Sequence, residues 1–146
     1  MADERPGKSG EVVDDRIAMA VRDYECDVQG IVNNAVYLNY LEHARHRYLI
    51  SRGIDFVEMA GRGLSMVVTR IELDYLRPLR AGDGFVVSSS MARVSRLRFR
   101  FDQTIALEHG GDEVLRAVVL GTTIDADGRP VRVLEMDHLN RLGGGD

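Results

Sequence analysis

The sequence predicts an α+β domain in which a curved antiparallel sheet packs against one long helix. Residues 34–52 have the spacing of an amphipathic helix, and Gly53 follows as a stop signal. One strand-like segment precedes this helix and four follow it. A chain of 146 residues suits one compact domain with a real core. A helix that comes before a run of antiparallel strands is typical of the α+β class.

The strand predictions rest on alternation and on the turn residues between the segments. The first strand is predicted at residues 17–24, where apolar side chains partly alternate. A GRG segment at 61–63 interrupts the chain after the helix. The later strands are predicted at residues 64–76, 85–94, 97–107 and 113–125. They are separated by RPLRAGD, VSR, EHGGDE and DADGRP, which are rich in turn formers or short enough for hairpins.

A single domain is predicted at residues 15–142, and the two ends of the chain are predicted to lie outside its folded core. Residues 1–14 are expected to form a mobile tail, and the terminal GGGD is expected to fray. A short helix is predicted at residues 134–142. No signal-peptide core is visible near the start, so the expected location is the cytoplasm.

Composition excludes several classes of protein. The net charge of −4 argues against a general nucleic-acid-binding surface. No segment approaches the roughly 20 apolar residues of a membrane span. The single cysteine, Cys26, cannot form an internal disulfide and fits a reducing compartment. His43 and His46 have no further ligands at a suggestive spacing, so no metal site is predicted.

The long helix has one face wide enough to be buried by a sheet. Six residues fall within an arc of about 140°: Val36, Tyr37, Tyr40, Leu41, Ala44 and Tyr48. Glu42 projects almost opposite the centre of this arc, and Arg45 lies near its margin. Leu38 and Leu49 fall outside it and give the helix a second, weaker apolar side. This second side is either a scattered surface contact or a contact with a partner subunit.

The segment around the start of the helix resembles a known active site. Residues 27–37 read D-x-x-G-x-V-N-N-x-x-Y, and residues 40–45 read YLEHAR. DYLRPLRAGD at 74–83 and DGRPVRV at 127–133 continue the series. The whole resembles the hotdog-fold thioesterases, namely the 4-hydroxybenzoyl-CoA thioesterase-like enzymes and the acyl-carrier-protein thioesterases. The resemblance covers residues 18–133 and implies a hotdog fold, in which the curved sheet wraps around the central helix.

The resemblance also implies a substrate and an assembly. The substrate would be an acyl-CoA or acyl-carrier-protein thioester, hydrolysed without a cofactor to the free acid. The chain would form a homodimer or homotetramer, with substrate held at the dimer interface. Two alternatives stay open: a non-catalytic acyl-CoA-binding module, and a hotdog hydratase or dehydratase. The latter enzymes usually carry a catalytic histidine near this turn, where Ile31 and Asn34 offer none.

Thioester hydrolysis requires a nucleophile or activated water, and donors for the developing oxyanion. Asp27, just before the helix, is predicted to act as nucleophile or general base. The resemblance implies that Asn34 offers its backbone N–H to the thioester carbonyl. Gly30 would allow a close backbone approach in a turn, and Asn33 would cap the helix and shape the site. The plainer interpretation is a turn aspartate followed by a capping asparagine.

Other residues complete the predicted site. Tyr24, Val32 and Tyr37 are predicted to line the substrate pocket. Glu42 is a reserve catalytic acid, because some hotdog enzymes use an acid on the central helix, although a surface ion pair with Arg45 or His46 is the competing interpretation. Arg45 is a reserve catalytic residue with a packing role as the alternative.

Three arginines alternate with apolar residues in SRLRFRF. Strand periodicity places Arg96, Arg98 and Arg100 on one face. Guanidinium groups bind phosphates well, so these residues are predicted to dock coenzyme A or a phosphopantetheine carrier. A solvated strand face is the alternative. The acyl group and the choice between the two carriers are open.

Overall fold

The computed structural model describes residues 15–132 as a sheet with helices packed on it. The strands are β1 (Arg16–Ala20), β2 (Ser65–Tyr75), β3 (Gly84–Arg93), β4 (Arg98–Leu107), β5 (Glu113–Ile124) and β6 (Pro130–Val131). The helices are α1 (Val36–Ser51) and α2 (Phe56–Gly61), with a 3-10 turn at Asp23–Glu25. The predicted tail at 1–14, the helix at 134–142 and the terminal GGGD lie outside the described residues.

The sheet is antiparallel throughout and has the order β1-β3-β4-β5-β2, with β6 paired to the end of β5. Consecutive strands β3, β4 and β5 pair as hairpins because their connections are short. β1 and β2 form the two edges of the five-strand path, separated in sequence by the helices. The predicted fold class, an antiparallel sheet against one long helix, is confirmed.

The first strand is shorter than the prediction of residues 17–24. β1 ends at Ala20 because residues 23–25 close a 3-10 turn instead. The carboxylate of Glu25 accepts the Arg22 backbone N–H at 2.9 Å, and Tyr40 on α1 donates its hydroxyl to the same carboxylate at 2.7 Å. Burial alone would raise the pKa of Glu25, but these hydrogen bonds and the Arg22 charge hold that pKa below its usual value. The turn before residues 27–34 is therefore tied to α1.

Helix α2 was not predicted. It has only six residues, too few for a clear periodic pattern. Asp55 caps it, and its Oδ1 accepts the backbone N–H groups of Val57 at 3.0 Å and Glu58 at 3.1 Å. Among residues 15–132, no helix is long and apolar enough to cross a membrane.

Helix α1 buries the predicted arc, with one correction. Five of the six arc residues are buried, and Val36 is half-buried. Leu49, predicted to lie outside the arc, is buried in a second core cluster with Ile54 and Met59. The chain beyond α1 folds back over this side, which helical periodicity alone cannot indicate. Leu38, the other residue outside the arc, is exposed.

A polar network fastens the middle of α1 to the sheet. The Arg45 Nη1 donates to Gln103 Oε1 at 3.1 Å, and the Gln103 Nε2 donates to the Leu41 carbonyl at 3.1 Å and the Ser89 hydroxyl at 2.9 Å. Arg45 and Gln103 are buried, and within residues 15–132 no carboxylate forms an ion pair with Arg45. Burial lowers the pKa of Arg45, because the charged form loses hydration. Gln103 is thus the group that satisfies a buried charge.

We expect Gln103→Leu to lower the free energy of unfolding by at least about 2 kcal/mol, because it leaves the Arg45 guanidinium buried without an acceptor. Arg45→Met removes the charge together with its desolvation cost and leaves only the neutral Gln103 Oε1 without a donor, so its loss should be smaller, about 1 kcal/mol. Urea unfolding at one fixed protein concentration measures both. A Gln103→Leu variant as stable as the wild type would contradict this account of the network.

Candidate active site

The turn that precedes α1 is organised by Asp27. Its Oδ1 accepts the Gln29 backbone N–H at 2.8 Å and approaches that of Ile31 at 3.5 Å. Its own N–H donates to the Ile31 carbonyl at 2.8 Å, and its carbonyl accepts from Gly30 at 3.0 Å. Asp27 is exposed, and within residues 15–132 its Oδ2 has no hydrogen-bond partner. One carboxylate oxygen holds the turn while the other is available.

Gly30 supplies the conformation that this turn requires. Its φ is +80°, in the left-handed region that favours glycine. A Cβ placed there would meet no atom within 4 Å, so the need is conformational and not spatial. After Gly30, an isolated β-bridge between Cys26 and Val32 closes the loop.

The two asparagines at the start of α1 play different parts. Asn33 accepts the Ala35 N–H on its Oδ1 and the Val36 N–H on its carbonyl, both at 2.9 Å. Asn33 thus supplies acceptors at the turn before α1, whereas the residue that directly flanks the helix is Ala35, which has no side-chain capping bond. The Asn34 N–H, in contrast, has no acceptor within residues 15–132. The Asn34 carbonyl accepts the Tyr75 hydroxyl at 3.0 Å.

A cavity of about 330 Å³ lies against this helix start. It is lined by Ile31, Val32, Asn34, Tyr37, Tyr75, Leu76, Arg77 and Pro78. The lining is mainly apolar and comes from two chain segments, the start of α1 and the end of β2. The Tyr37 hydroxyl accepts the Leu79 N–H at 3.1 Å, which joins the two segments. Burial raises the pKa of Tyr37, so its hydroxyl stays protonated at neutral pH.

The structure brings together only part of the predicted site. Val32, Asn34 and Tyr37 line the cavity, and Asp27 with Gly30 forms the turn directly before its wall. Tyr24 does not line it and is 80% exposed on the 3-10 turn. Tyr24 therefore has no contact with the cavity of its own chain.

Residues 75–78 line the cavity although they were not predicted as site residues. The available signal was the DYLRPLRAGD motif, which the sequence marks as recurrent without indicating where it packs. Arg77 in this segment donates to the Asp112 carboxylate at 3.0 Å, and both side chains are about half exposed. Arg77 is the cationic side chain in the cavity wall.

The two reserve residues on α1 lie away from the cavity. Glu42 is exposed, and its carboxylate lies 3.9 Å from the His46 Nε2, which agrees with the surface-pair interpretation. Arg45 lies eight residues beyond Tyr37, about 12 Å along the helix, and points into the polar network with Gln103. Neither lines the cavity.

The three predicted docking arginines do not share one strand face. Arg98 and Arg100 lie on β4, on the face opposite to the buried Phe99, but Arg96 lies in the hairpin turn before the strand. A tight turn replaced the strand alternation that the sequence suggested. Arg100 is held by Asp102, with the Nη2 2.8 Å from Oδ1.

These arginines are also distant from the cavity of their own chain. The register places Tyr75 opposite Leu115, and Leu115 opposite Ile105. Arg100 is five residues from Ile105, or about 17 Å along β4. Within one chain, the fold therefore separates this arginine face from the cavity.

A sequence profile of the thioesterase-like superfamily matches residues 21–140. The chain belongs to this superfamily. This thioesterase-like chain is 39% identical over 117 residues to the acyl-acyl carrier protein thioesterase ATL3 of Arabidopsis thaliana, across 80% of this chain and 62% of that protein. It thus spans less than two thirds of the length of that relative. It is 32% identical over 122 residues to the long-chain acyl-CoA thioesterase FadM of Escherichia coli, across 84% of this chain and 92% of FadM.

The fold of this thioesterase-like chain also matches a solved structure. Slr0204 of Synechocystis, a 1,4-dihydroxy-2-naphthoyl-CoA thioesterase, superposes with a TM-score of 0.80 over 90% of this chain and 95% of that one. The two sequences are 17% identical, so this likeness shows the fold alone. The predicted hotdog fold is confirmed, with an antiparallel sheet curved around α1.

Proposed function

We propose that this protein hydrolyses an acyl thioester of coenzyme A or of an acyl carrier protein to the free carboxylic acid. Membership of the thioesterase-like superfamily supports the reaction class. The named relatives act on acyl-acyl carrier protein and on long-chain acyl-CoA, which supports both carriers as candidates. The mainly apolar cavity suits an acyl group.

The proposal rests on an unbonded donor in a cavity-lining residue and an unbonded carboxylate oxygen in the turn that precedes it in the chain. Asn34 lines the cavity, and its backbone N–H has no acceptor within residues 15–132. Asp27, in the turn that leads into the cavity wall, keeps its Oδ2 unbonded to the described residues. A donor for the carbonyl oxygen and an acid for the carbonyl carbon are the two groups that thioester hydrolysis needs.

Two routes are consistent with these groups. In the first, the Asp27 carboxylate adds to the carbonyl carbon, the thiolate leaves, and water hydrolyses the resulting anhydride. In the second, Asp27 takes a proton from a water molecule that adds to the same carbon before the thiolate leaves. In both routes the carbonyl oxygen becomes negative during addition, and the Asn34 N–H donates to it. The thiolate finally takes up a proton, which gives the thiol and the acid.

Arg77 is the arginine that the cavity wall contains. It lines the cavity within the same chain, whereas Arg96, Arg98 and Arg100 are separated from that cavity by the fold. A contact between Arg96, Arg98 or Arg100 and a phosphate of substrate bound in this cavity would require a second chain. Arg77 is therefore the residue that we favour for the polar part of the substrate.

We expect Asp27→Asn to lower kcat by about 100-fold or more, since it removes the nucleophile or base. The turn should persist, because the asparagine Oδ1 can still accept the Gln29 N–H. The measurement is thiol release from acyl-CoA and acyl-carrier-protein substrates of graded chain length. Glu42→Gln, on the exposed side of α1, serves as the comparison and should cost less than about tenfold.

Hydrolysis by Asp27→Asn at the wild-type rate would refute the assignment of the acid. A wild-type protein that binds acyl thioesters without cleaving any of them would instead support the non-catalytic acyl-binding alternative. The same substrate series decides which carrier is preferred.

We also infer that the site is completed by a second copy in a homodimer or homotetramer. β2 is an edge strand of 11 residues, and within residues 15–132 it pairs only with β5. Large apolar side chains beside it are exposed, including Val68 at 43% and Leu76 at 48%. Leu76 and the half-exposed Tyr75 also line the cavity. An unpaired edge strand with exposed apolar side chains is ordinarily covered in a stable protein.

Sedimentation velocity at micromolar concentration should show a species of at least twice the 16.3 kDa of one chain. Val68→Lys places a charge on the β2 edge and should shift the protein toward monomer with loss of activity. Val57→Lys on the exposed side of α2 is the matched control and should leave assembly unchanged. An active monomer of 16.3 kDa would rule out a site that depends on a second copy.

A further inference from the structure

The peptide group between Asn34 and Ala35 is held at both ends by side chains. Its carbonyl accepts the Tyr75 hydroxyl at 3.0 Å, and its N–H donates to the Asn33 Oδ1 at 2.9 Å. On the other side of Asn34, the Asn33 carbonyl accepts the Val36 N–H at 2.9 Å. The Asn34 N–H belongs to the peptide group whose carbonyl is this Asn33 oxygen, and the next peptide group along the chain is the one held at both ends. The direction of the Asn34 N–H is therefore restrained, although this N–H has no acceptor within residues 15–132.

Tyr75 fixes this peptide from a different part of the fold. It is the last residue of β2, and its backbone pairs with Leu115. Its ring meets the ring of Tyr37 edge to face, with centroids 5.6 Å apart and planes at 68°. The Tyr37 hydroxyl in turn accepts the Leu79 N–H. The phenol of Tyr75 is thus placed by the sheet and by a buried tyrosine, independently of the helix whose start it contacts.

Capping of the helix does not require this bond. Asn33 already satisfies the Ala35 and Val36 N–H groups. The bond from Tyr75 is to a carbonyl at an exposed position, where water would serve as an alternative donor, so its net contribution to stability is small. Its distinctive consequence is geometric, because it restrains rotation of the peptide next to the unbonded N–H.

We propose that Tyr75 is a positioning residue for thioester hydrolysis: its hydroxyl holds the peptide group between Asn34 and Ala35, and this restrains the adjoining peptide so that the Asn34 N–H points at the oxygen that becomes negative. This inference rests on the proposed function. A donor fixed in advance stabilises the developing charge without reorganisation during the reaction. Because the charge is greatest in the transition state, the restraint should act on kcat and hardly on KM.

The first test is Tyr75→Phe, which removes the hydroxyl and keeps the ring contact with Tyr37. We expect kcat to fall roughly tenfold and KM to stay within about twofold, since a misdirected donor costs less than a lost one. Asn33→Ala should give a similar loss, and Asn33→Asp, which keeps an acceptor for the Ala35 N–H, should restore most of it. The double variant Tyr75→Phe with Asn33→Ala should lose less than the product of the two, because both residues hold one peptide.

Tyr48→Phe is the matched control. Tyr48 is buried at the other end of α1 in the second core cluster, where its ring meets that of Phe101 edge to face, and the variant removes only its hydroxyl. Its loss should lower the unfolding temperature at least as much as Tyr75→Phe does, yet leave kcat unchanged. This comparison separates a positioning effect from simple destabilisation.

A second readout does not depend on activity. In protein labelled with ¹⁵N-asparagine, Tyr75→Phe should shift the Asn34 amide resonance, and Tyr48→Phe should not. An unchanged kcat in Tyr75→Phe, or a loss confined to KM, would overturn the positioning role; the latter would make Tyr75 a substrate contact. A wild-type protein that cleaves no thioester would instead overturn the proposed function, while the amide shift would still report whether Tyr75 fixes the Asn34 peptide.

Discussion

The arrangement of the site follows from a property of every α-helix: the first backbone N–H groups have no partner within the helix. At the start of α1, Asn33 supplies acceptors for the Ala35 and Val36 N–H groups and leaves that of Asn34 unbonded. An unbonded N–H at a helix start is a natural donor for an oxygen that gains negative charge. The capping pattern thus decides which donor is available to a substrate.

The direction of that donor depends on how firmly the helix start is joined to the sheet. The Val32 N–H donates to the Leu79 carbonyl at 2.9 Å, and Ile31 forms a β-bridge with Arg80. Further along the helix, the Gln103 amide accepts from Arg45 and donates to the Leu41 carbonyl. The helix is therefore fixed both at its beginning and at its middle. The cavity wall consists of the same segments, so its shape and the donor geometry are set together.

Local patterns in the sequence were sufficient for the main elements and for the turn that contains Asp27. The helical arc from Tyr37 to Tyr48 and the hairpin turns between β3, β4 and β5 are encoded over short distances, and they were predicted correctly. Helix α2 and the burial of Leu49 were missed, because a six-residue helix has little periodicity and a folded-back segment leaves no local signal. The prediction that Arg96 shares a strand face with Arg98 and Arg100 was wrong, because Arg96 lies in a turn.

Residues 75–78 show most clearly what could not be predicted from the sequence. Tyr75 lies 41 residues from Asn34 in sequence, and only the tertiary pairing of β2 with β5 brings its hydroxyl to the Asn34 carbonyl. The recurrent motif around it was visible, but its contact partner was not. Contacts between distant segments depend on packing, and residue spacing does not specify them.

The most direct test is a crystal structure of the protein with a non-hydrolysable acyl-coenzyme A analogue that keeps the carbonyl and replaces the sulfur by a methylene group. The account predicts the carbonyl oxygen about 2.7–3.1 Å from the Asn34 backbone nitrogen. It also predicts an Asp27 carboxylate oxygen, or a water molecule bonded to it, about 3–3.5 Å from the carbonyl carbon on the opposite side. An analogue whose carbonyl lies away from both groups, with the Asn34 N–H still unbonded, would contradict it.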